Sequence, residues 1–230
     1  MQCRLVCEFV SATRAVLCVL LVATAGTAQS FQSWNEVDLT ASWRIADVML
    51  PGVVRIDPQL PNPQFVATGL IAAVHLPWRV KLAGGYVFVD LPQRSQSAVH
   101  VPLIALTKTF QMRRLTAADQ NRFEKLIGFG TSPVRYRNLL LLDLALGAHH
   151  RSHAFVGDEI FFDFFARKWN QNRFQFGGGT RLNQRLALDV YFLQRDLSGG
   201  GHEIRIIGTT LKITLRTARQ KKTVRESVRE

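Results

Sequence analysis

The sequence predicts an all-β protein, a closed antiparallel up-and-down transmembrane β-barrel. Three observations support this fold class. Apolar and polar residues alternate with a period of two along most of the chain. The chain is 47% hydrophobic, yet no stretch after residue 28 approaches 18 consecutive apolar residues, which excludes a helical membrane span there. The polar positions of single strands carry both signs of charge, which suits the interior of a membrane barrel.

Residues 1–28 have the composition of a secretory signal peptide. Arg4 and Arg14 supply positive charge, residues 15–25 form an apolar run, and residues 26–28 place small side chains at a cleavage site. The run is shorter than the roughly 20 residues of a membrane-spanning helix, which makes an uncleaved anchor the less favoured alternative. We therefore expect export and, together with the predicted barrel, a location in the bacterial outer membrane.

The cysteines and the charge exclude several classes of function. Cys3, Cys7 and Cys18 all lie in the predicted signal, so the mature chain has no thiol nucleophile, cysteine-ligated metal or disulfide. The net charge of +12 falls to +11 without the signal. Export argues against nucleic acid as the partner of this basic chain. The expected partners are outer-membrane lipid and the barrel-assembly machinery, with no cofactor and no metal.

The barrel is predicted over residues 29–216 and a charged, disordered tail over 217–230. Eleven segments show strand alternation, and bacterial single-chain barrels have even numbers of strands with both termini on the periplasmic side. We therefore expect 12 strands, through a missed strand near 121–132, in preference to 10, through a false strand at 48–57. The eleven segments are 34–44, 48–57, 65–76, 79–90, 99–108, 111–126, 134–146, 155–167, 173–181, 185–195 and 203–216.

Alternation alone leaves open which face points outward, because a soluble lipocalin-like barrel has the same pattern inverted in space. Mixed charge on the polar face favours a membrane barrel with a charged lumen. The predicted structural lumen network is Glu36, Asp38, Arg122, Glu124, Arg135, Arg137, Asp143, Glu159, Asp163, Arg167, Arg173, Asp189, Glu203 and Arg205.

The predicted outer face has apolar rows and interfacial aromatics. The rows lie at 140–146, 160–164 and 186–192, taking every second residue. Aromatic residues near strand ends are predicted to form girdles at the membrane interfaces. These are Trp34, Trp43, Trp78, Tyr136, Phe155 and Trp169.

Short motifs across the mature chain resemble one bacterial family. They include Trp34-Asn35-Glu36, the stretch at 135–138, the stretch at 158–162, and the run at 172–179 that ends in three glycines. The segments 188–194 and 202–204 add to the likeness. The chain is therefore similar to the domain-of-unknown-function family 2490. The resemblance implies an outer-membrane barrel and carries no activity with it.

Candidate catalytic groups are few. His149, His150 and His153 cluster near Ser152, which invites a metal-binding or serine-activating interpretation, but no Gly-x-Ser-x-Gly elbow is present. The glycines at 177–179 lie inside a strand pattern, which favours close packing or a bend in the barrel wall over phosphate binding. We expect no catalytic residues. The predicted function is a structural outer-membrane barrel or a narrow passive pore; the alternatives are a hydrolase or lipid-modifying enzyme, and a soluble periplasmic barrel that binds an apolar ligand.

Overall fold

The computed structural model describes residues 31–60, 62–93, 98–128, 133–147, 151–198 and 203–216. The predicted signal at 1–28 and the tail at 217–230 lie outside the described residues. The described part of the chain has no helix that is long and apolar enough to cross a membrane.

Eleven strands form one closed barrel in the described residues. Their connections alternate between two ends of the barrel. The end with connections of two to five residues is called the turn end here, and the end with connections of four to eight residues the loop end. The strands are β1 (Phe31–Ser42), β2 (Ala46–Ile56), β3 (Phe65–Leu76), β4 (Val80–Asp90), β5 (Ala98–Met112), β6 (Leu115–Lys125), β7 (Val134–Leu146), β8 (Ser152–Asp163), β9 (Lys168–Arg181), β10 (Leu186–Leu197) and β11 (Ile204–Arg216).

The predicted closed barrel is confirmed, with a strand number between the 10 and 12 expected. Each of the eleven predicted segments corresponds to a strand, and the segment 48–57 is β2 despite its internal Pro51-Gly52. No further strand is described near 121–132, where β6 ends at Lys125 and Ile127 forms only an isolated bridge with His100.

The barrel closes through a parallel pair, which differs from the fully antiparallel arrangement that we expected. β1 runs alongside β11 from Phe31↔Arg205 to Ser42↔Arg216, while all other neighbouring strands are antiparallel. An odd number of alternating strands requires this, because the first and last strands then run in the same direction. Phe31 and Arg216 consequently lie at opposite ends of the barrel, so the expectation that both termini share one side was wrong for the described chain.

Several strand boundaries differ from the predicted ones for local reasons. A two-residue turn at Arg113 and Arg114 separates β5 from β6. Arg113 has a φ of 46°, which is uncommon for a residue other than glycine, so the sequence does not indicate a turn there. β8 ends at Asp163, whose Oδ1 accepts hydrogen bonds from the backbone N–H groups of Phe165 (2.8 Å) and Ala166 (3.0 Å). This Asx turn begins the connection to β9.

Strand register decides which residues enter the lumen. In β1, Trp34 is 2% exposed and lies on the inner face with Glu36 and Asp38, whereas Val37 is 45% exposed on the outer face. The same division continues around the wall, so the apolar rows at 140–146 and 186–192 are on the outside.

Part of the lumen is apolar. Inward side chains of β3, β4 and β5 form a buried cluster of Ala67, Val89, Val99 and Val101, packed against Val53 and Phe65. The larger share of the charged interior lies on β6 to β11 and β1, while Asp47 and Arg55 of β2 also point inward.

Candidate functional site

The strongest feature of the interior is an ion-pair network on four neighbouring strands. We call it the lumen network. It consists of Arg122 and Glu124 on β6, Arg135 and Arg137 on β7, Glu159 on β8 and Arg173 on β9.

Glu124 is the most buried carboxylate of the lumen network, with 2% of its side chain exposed. It accepts hydrogen bonds from three arginines. Arg122 Nη2 lies 2.6 Å from Oε1, Arg137 Nη1 lies 2.8 Å from Oε1, and Arg135 Nε lies 3.0 Å from Oε2, with Arg135 Nη2 on the same oxygen. The opposing pairs Glu124↔Arg135 and Arg122↔Arg137 in the β6–β7 register bring these groups together.

Arg137 links the two carboxylates of the network. Besides its bond to Glu124, it donates from Nε (2.9 Å) and Nη2 (2.5 Å) to Glu159 Oε1. Glu159 also accepts from Arg173 Nη1 at 3.2 Å. The planar, multi-donor guanidinium is suited to this bridging, which a lysine would not reproduce. The result is one continuous chain of ion pairs from β6 to β9.

Phe161 lies at the centre of the lumen network and is fully buried. The guanidinium carbons of Arg173, Arg137 and Arg135 lie 4.4, 4.8 and 5.2 Å from its ring centroid. Such contacts stabilise a cation over an aromatic face. Phe161 therefore fills the space between the arginines and narrows the lumen.

A second inward cluster lies nearer the turn end. His153 Nε2 is 3.2 Å from Asp189 Oδ1 and His153 Nδ1 is 3.3 Å from Asp143 Oδ2. Lys212 donates to Asp189 Oδ2 at 2.5 Å. Asp38 shares this region, since it lies directly opposite Lys212 in the β1–β11 register. Predicted members Asp38, Asp143 and Asp189 thus meet a histidine and a lysine in place of the arginines.

The remaining predicted network residues take other positions. Glu36 accepts weak hydrogen bonds from Thr210 Oγ1 (3.4 Å) and Tyr191 OH (3.5 Å) inside the lumen. Asp163 caps its turn, and Arg167 lies in that turn with a φ of 51°. Glu203 and Arg205 pair with each other at 3.6 Å, and Arg205 faces outward because it alternates with the buried Ile206.

Ser152 and His153 do not form a catalytic pair. They are consecutive in β8, so their side chains point to opposite faces of the wall. Ser152 lies on the exposed outer side at 3.4 Å from Thr180 Oγ1, while His153 is inside. Within the described ranges, no three His, Cys, Asp or Glu residues are grouped as a metal site would require. His149 and His150 lie outside the described residues.

An outward polar cluster interrupts the apolar wall on β6 and β7. Asn138 Nδ2 donates to Asp119 Oδ1 at 2.6 Å, and Tyr136 OH donates to Asn121 Oδ1 at 2.5 Å. Asn121 and Asn138 are direct neighbours across the two strands. The cluster contains no serine, threonine or histidine, so it lacks the Ser–His pair of a serine hydrolase, and Asp119 is its only carboxylate.

The aromatic residues divide differently from the prediction. Trp43 and Trp78 are exposed near the turn end, and Trp169 is exposed near the loop end. Tyr136 and Trp169 belong to an outer aromatic group with Phe123, Phe162 and Phe164, with ring centroids 5.1 to 6.4 Å apart. Trp34 and Phe155, by contrast, point into the lumen beside Tyr191, so their predicted girdle position was wrong. Period-two alternation had already placed Trp34 on the same face as Glu36.

Sequence reasoning missed Arg55 as part of the site. It lies opposite Trp34 in the β1–β2 register, with its guanidinium carbon 3.7 Å from the Trp34 ring centroid. The alternation of β2 could have indicated its position, because Arg55 shares the inner face with Val53. Pro51-Gly52 obscured that alternation.

The fold and the interior define a class of protein: a closed β-barrel with an apolar outer wall and a charged, partly filled lumen. A family model described as "Protein of unknown function (DUF2490)" matches residues 31–202. The chain belongs to that family, as its motifs indicated. The match extends from β1 through β10 and leaves β11 outside. A search of curated proteins found no match.

Proposed function

We propose that this protein is a small barrel of the Gram-negative outer membrane, and that its lumen forms a narrow, charge-lined passage. The observation that carries the proposal is the distribution of side chains across the wall. Large apolar side chains are exposed outside, while the lumen network lies inside.

The outer face supports contact with lipid. Leu70 and Ile104 are each 53% exposed, and Leu144 is 44% exposed, on three different strands. Soluble monomers rarely expose contiguous apolar patches larger than a few hundred Å². An apolar wall that surrounds the barrel fits a bilayer, in which closed barrels satisfy every backbone hydrogen bond.

The inner face argues against a soluble barrel that holds an apolar ligand. Such a barrel would place its apolar rows inside, whereas here the lumen network alone places six charged side chains inside β6 to β9. A ligand that enters this lumen would have to be polar or charged.

Fractionation of a Gram-negative host that expresses the full chain tests the location. We expect the protein in the outer-membrane fraction, soluble only with detergent, with mass spectrometry showing cleavage after Ala28. The folded barrel should migrate faster than the boiled one on a gel. Recovery in the soluble periplasmic fraction, or identical migration before and after boiling, would contradict the proposal.

Bilayer recordings test the passage. We expect the purified barrel to give small conductance steps, because Phe161 and the lumen network narrow the interior. Arg137→Ala removes the side chain that joins the two carboxylates and should enlarge the conductance. A silent wild type together with a silent Arg137→Ala variant would show a purely structural barrel.

A lipid-modifying enzyme is a second candidate, favoured by the outward polar cluster of Asp119, Asn121, Tyr136 and Asn138. Its position on the outer wall is where a lipid substrate would lie. Hydrolysis of phospholipid by the wild type that is lost in Asp119→Asn would support this candidate. Equal hydrolysis by wild type and Asp119→Asn would show that the cluster does not catalyse it.

A further inference from the structure

Two inward arginines near the loop end are not used by the lumen network. Arg55 projects from β2 and Arg195 from β10. Arg195 lies directly opposite Arg173 across the β9–β10 register. Arg55 and Arg173 both approach the Trp34 ring, which brings Arg55 into the same region of the lumen as Arg195.

Neither arginine has a carboxylate partner in the part of the chain that the structure describes. Among the described residues, no ion pair joins Arg55 or Arg195 to an acidic side chain. The Nε atom of each is buried and makes no hydrogen bond. Glu36 makes its hydrogen bonds with Thr210 and Tyr191 instead. A buried donor without an acceptor costs about 1–3 kcal/mol, and more when the donor is charged.

The positive charge that surrounds Arg55 and Arg195 argues against a purely structural role for them. The lumen network already places four arginines around Glu124 and Glu159, which leaves it with excess positive charge. Buried charges are normally paired. Arg55 and Arg195 add two more positive charges to this excess.

Two aromatic rings stack against the planar guanidinium of Arg55 and hold it in place. The guanidinium carbon lies 3.7 Å from the centroid of Trp34 and 3.9 Å from that of Phe65. Arg173 approaches the same Trp34 ring at 5.2 Å. Stacking of this kind fixes the plane of a guanidinium and leaves its N–H edge available for a bidentate acceptor.

We propose that Arg55 and Arg195, beside Trp34 and Arg173, form a binding site for an oxyanion of the phosphate or carboxylate class. The ligand enters along the lumen from an aqueous end, because each strand of the closed wall is hydrogen-bonded to both neighbours. The inference rests on the proposed passage, which supplies the route of the ligand. A site of this kind would make the passage selective for anions.

Calorimetric titration with inorganic phosphate tests the site on the purified, detergent-solubilised barrel. We expect saturable binding by the wild type. Arg55→Gln and Arg195→Gln should each weaken it about tenfold or more, because each removes one charged bidentate donor. Arg44→Gln, which removes the same charge at an exposed turn-end position, should bind as the wild type does. Absence of saturable binding by the wild type, or equal weakening in Arg44→Gln, would overturn the proposal.

Thermal unfolding separates a binding role from a structural one. Phosphate should raise the Tm of the wild type, since a ligand that binds only the folded state stabilises it. Arg55→Gln should lack that increase and have a Tm without phosphate equal to or above that of the wild type, because repulsion with Arg195 is relieved. If both variants have a much lower Tm than the wild type without phosphate, the two arginines stabilise the fold and the proposed binding role is overturned.

A lipid headgroup is the other source of a phosphate group. Binding of inorganic phosphate or glycerol phosphate that persists when anionic lipid is added to the micelles indicates a free ligand. Displacement of phosphate by that lipid would overturn the lumenal route. Heat-modifiable migration of the same samples reports on the barrel independently, so failure of the anion site is distinguishable from failure of the proposed membrane barrel.

Discussion

Two leucines of β7 on opposite faces offer a direct test of which face of the wall meets lipid. Leu142 points outward, is 38% exposed and lies between Ala117 and Val156. Leu139 points inward, between Gln120 and Glu159. The substitutions Leu142→Arg and Leu139→Arg add the same charge and volume on opposite sides of one strand.

The magnitude follows from the surroundings of each side chain. An arginine on the lipid face costs about 2–4 kcal/mol at the bilayer midplane, and Leu142 has apolar neighbours on both sides. Leu142→Arg should therefore lower the folding equilibrium constant by about 30-fold to several hundred-fold. Leu139→Arg places the guanidinium beside Glu159 and should cost less, with loss of leucine packing as its main penalty.

Urea unfolding in lipid vesicles, followed by tryptophan fluorescence and gel migration, measures the difference. We expect Leu142→Arg to lower the free energy of unfolding by at least about 1 kcal/mol more than Leu139→Arg does. A larger loss for Leu139→Arg would refute the assignment of faces. The same unfolding in detergent should reduce the difference, because a micelle lets the long side chain reach water.

Three further predictions concern the interior, the closure and the packing of the wall. Glu124→Gln should destabilise the barrel by about 3–5 kcal/mol, because it leaves buried arginines without their acceptor, and urea unfolding measures this loss. The double variant Asn35→Cys and Thr209→Cys should form a disulfide that is visible as a mobility shift on a non-reducing gel, because these residues are partners in the parallel β1–β11 pair. Gly177→Ala should cost about 1–3 kcal/mol in the same unfolding assay, because a Cβ there would lie 2.6 Å from Tyr191 Cβ and also meet a backbone oxygen.

Matched variants keep these predictions falsifiable. Glu203→Gln breaks only a partly exposed pair and should cost about 0–1 kcal/mol. Moving the second cysteine from Thr209 to Leu211 should abolish the disulfide, and its persistence would contradict the observed register. Gly84→Ala should be tolerated, since the nearest atom to its Cβ would be 4.0 Å away, and equal losses at Gly84 and Gly177 would contradict the packing argument.

Much of the barrel wall was predictable because alternation is a local property of an extended chain. Successive side chains of a strand point to opposite faces, so the sequence alone grouped Glu36 with Asp38 and separated both from Val37. The same reasoning predicted that the glycines at 177–179 serve close packing, which is confirmed at Gly177. Turns without glycine or proline, such as the one at Arg113, escaped prediction because nothing in their composition marks them.

The site was predicted as a set of residues but not as a set of contacts. Composition indicated an arginine–carboxylate lumen, and Glu124, Glu159 and their arginine partners meet there. Which charges pair depends on register, and register depends on turn lengths and on the irregularity between Phe161 and Phe162. Arg205 and Arg167 share the predicted composition and still lie outside the network, because Arg205 faces outward and Arg167 lies in the connection between β8 and β9.

The sequence by itself determined that this chain forms strands, which residues share a face, and that the cysteines are confined to residues 1–28. Only the tertiary structure decided that the charged face turns inward and that β1 pairs with β11 in parallel. The alternation of polar and apolar residues is the same whichever face of the sheet points inward. No local pattern therefore shows which face lines the lumen. Closure depends on the total number of strands, because an odd number leaves the first and last running in the same direction.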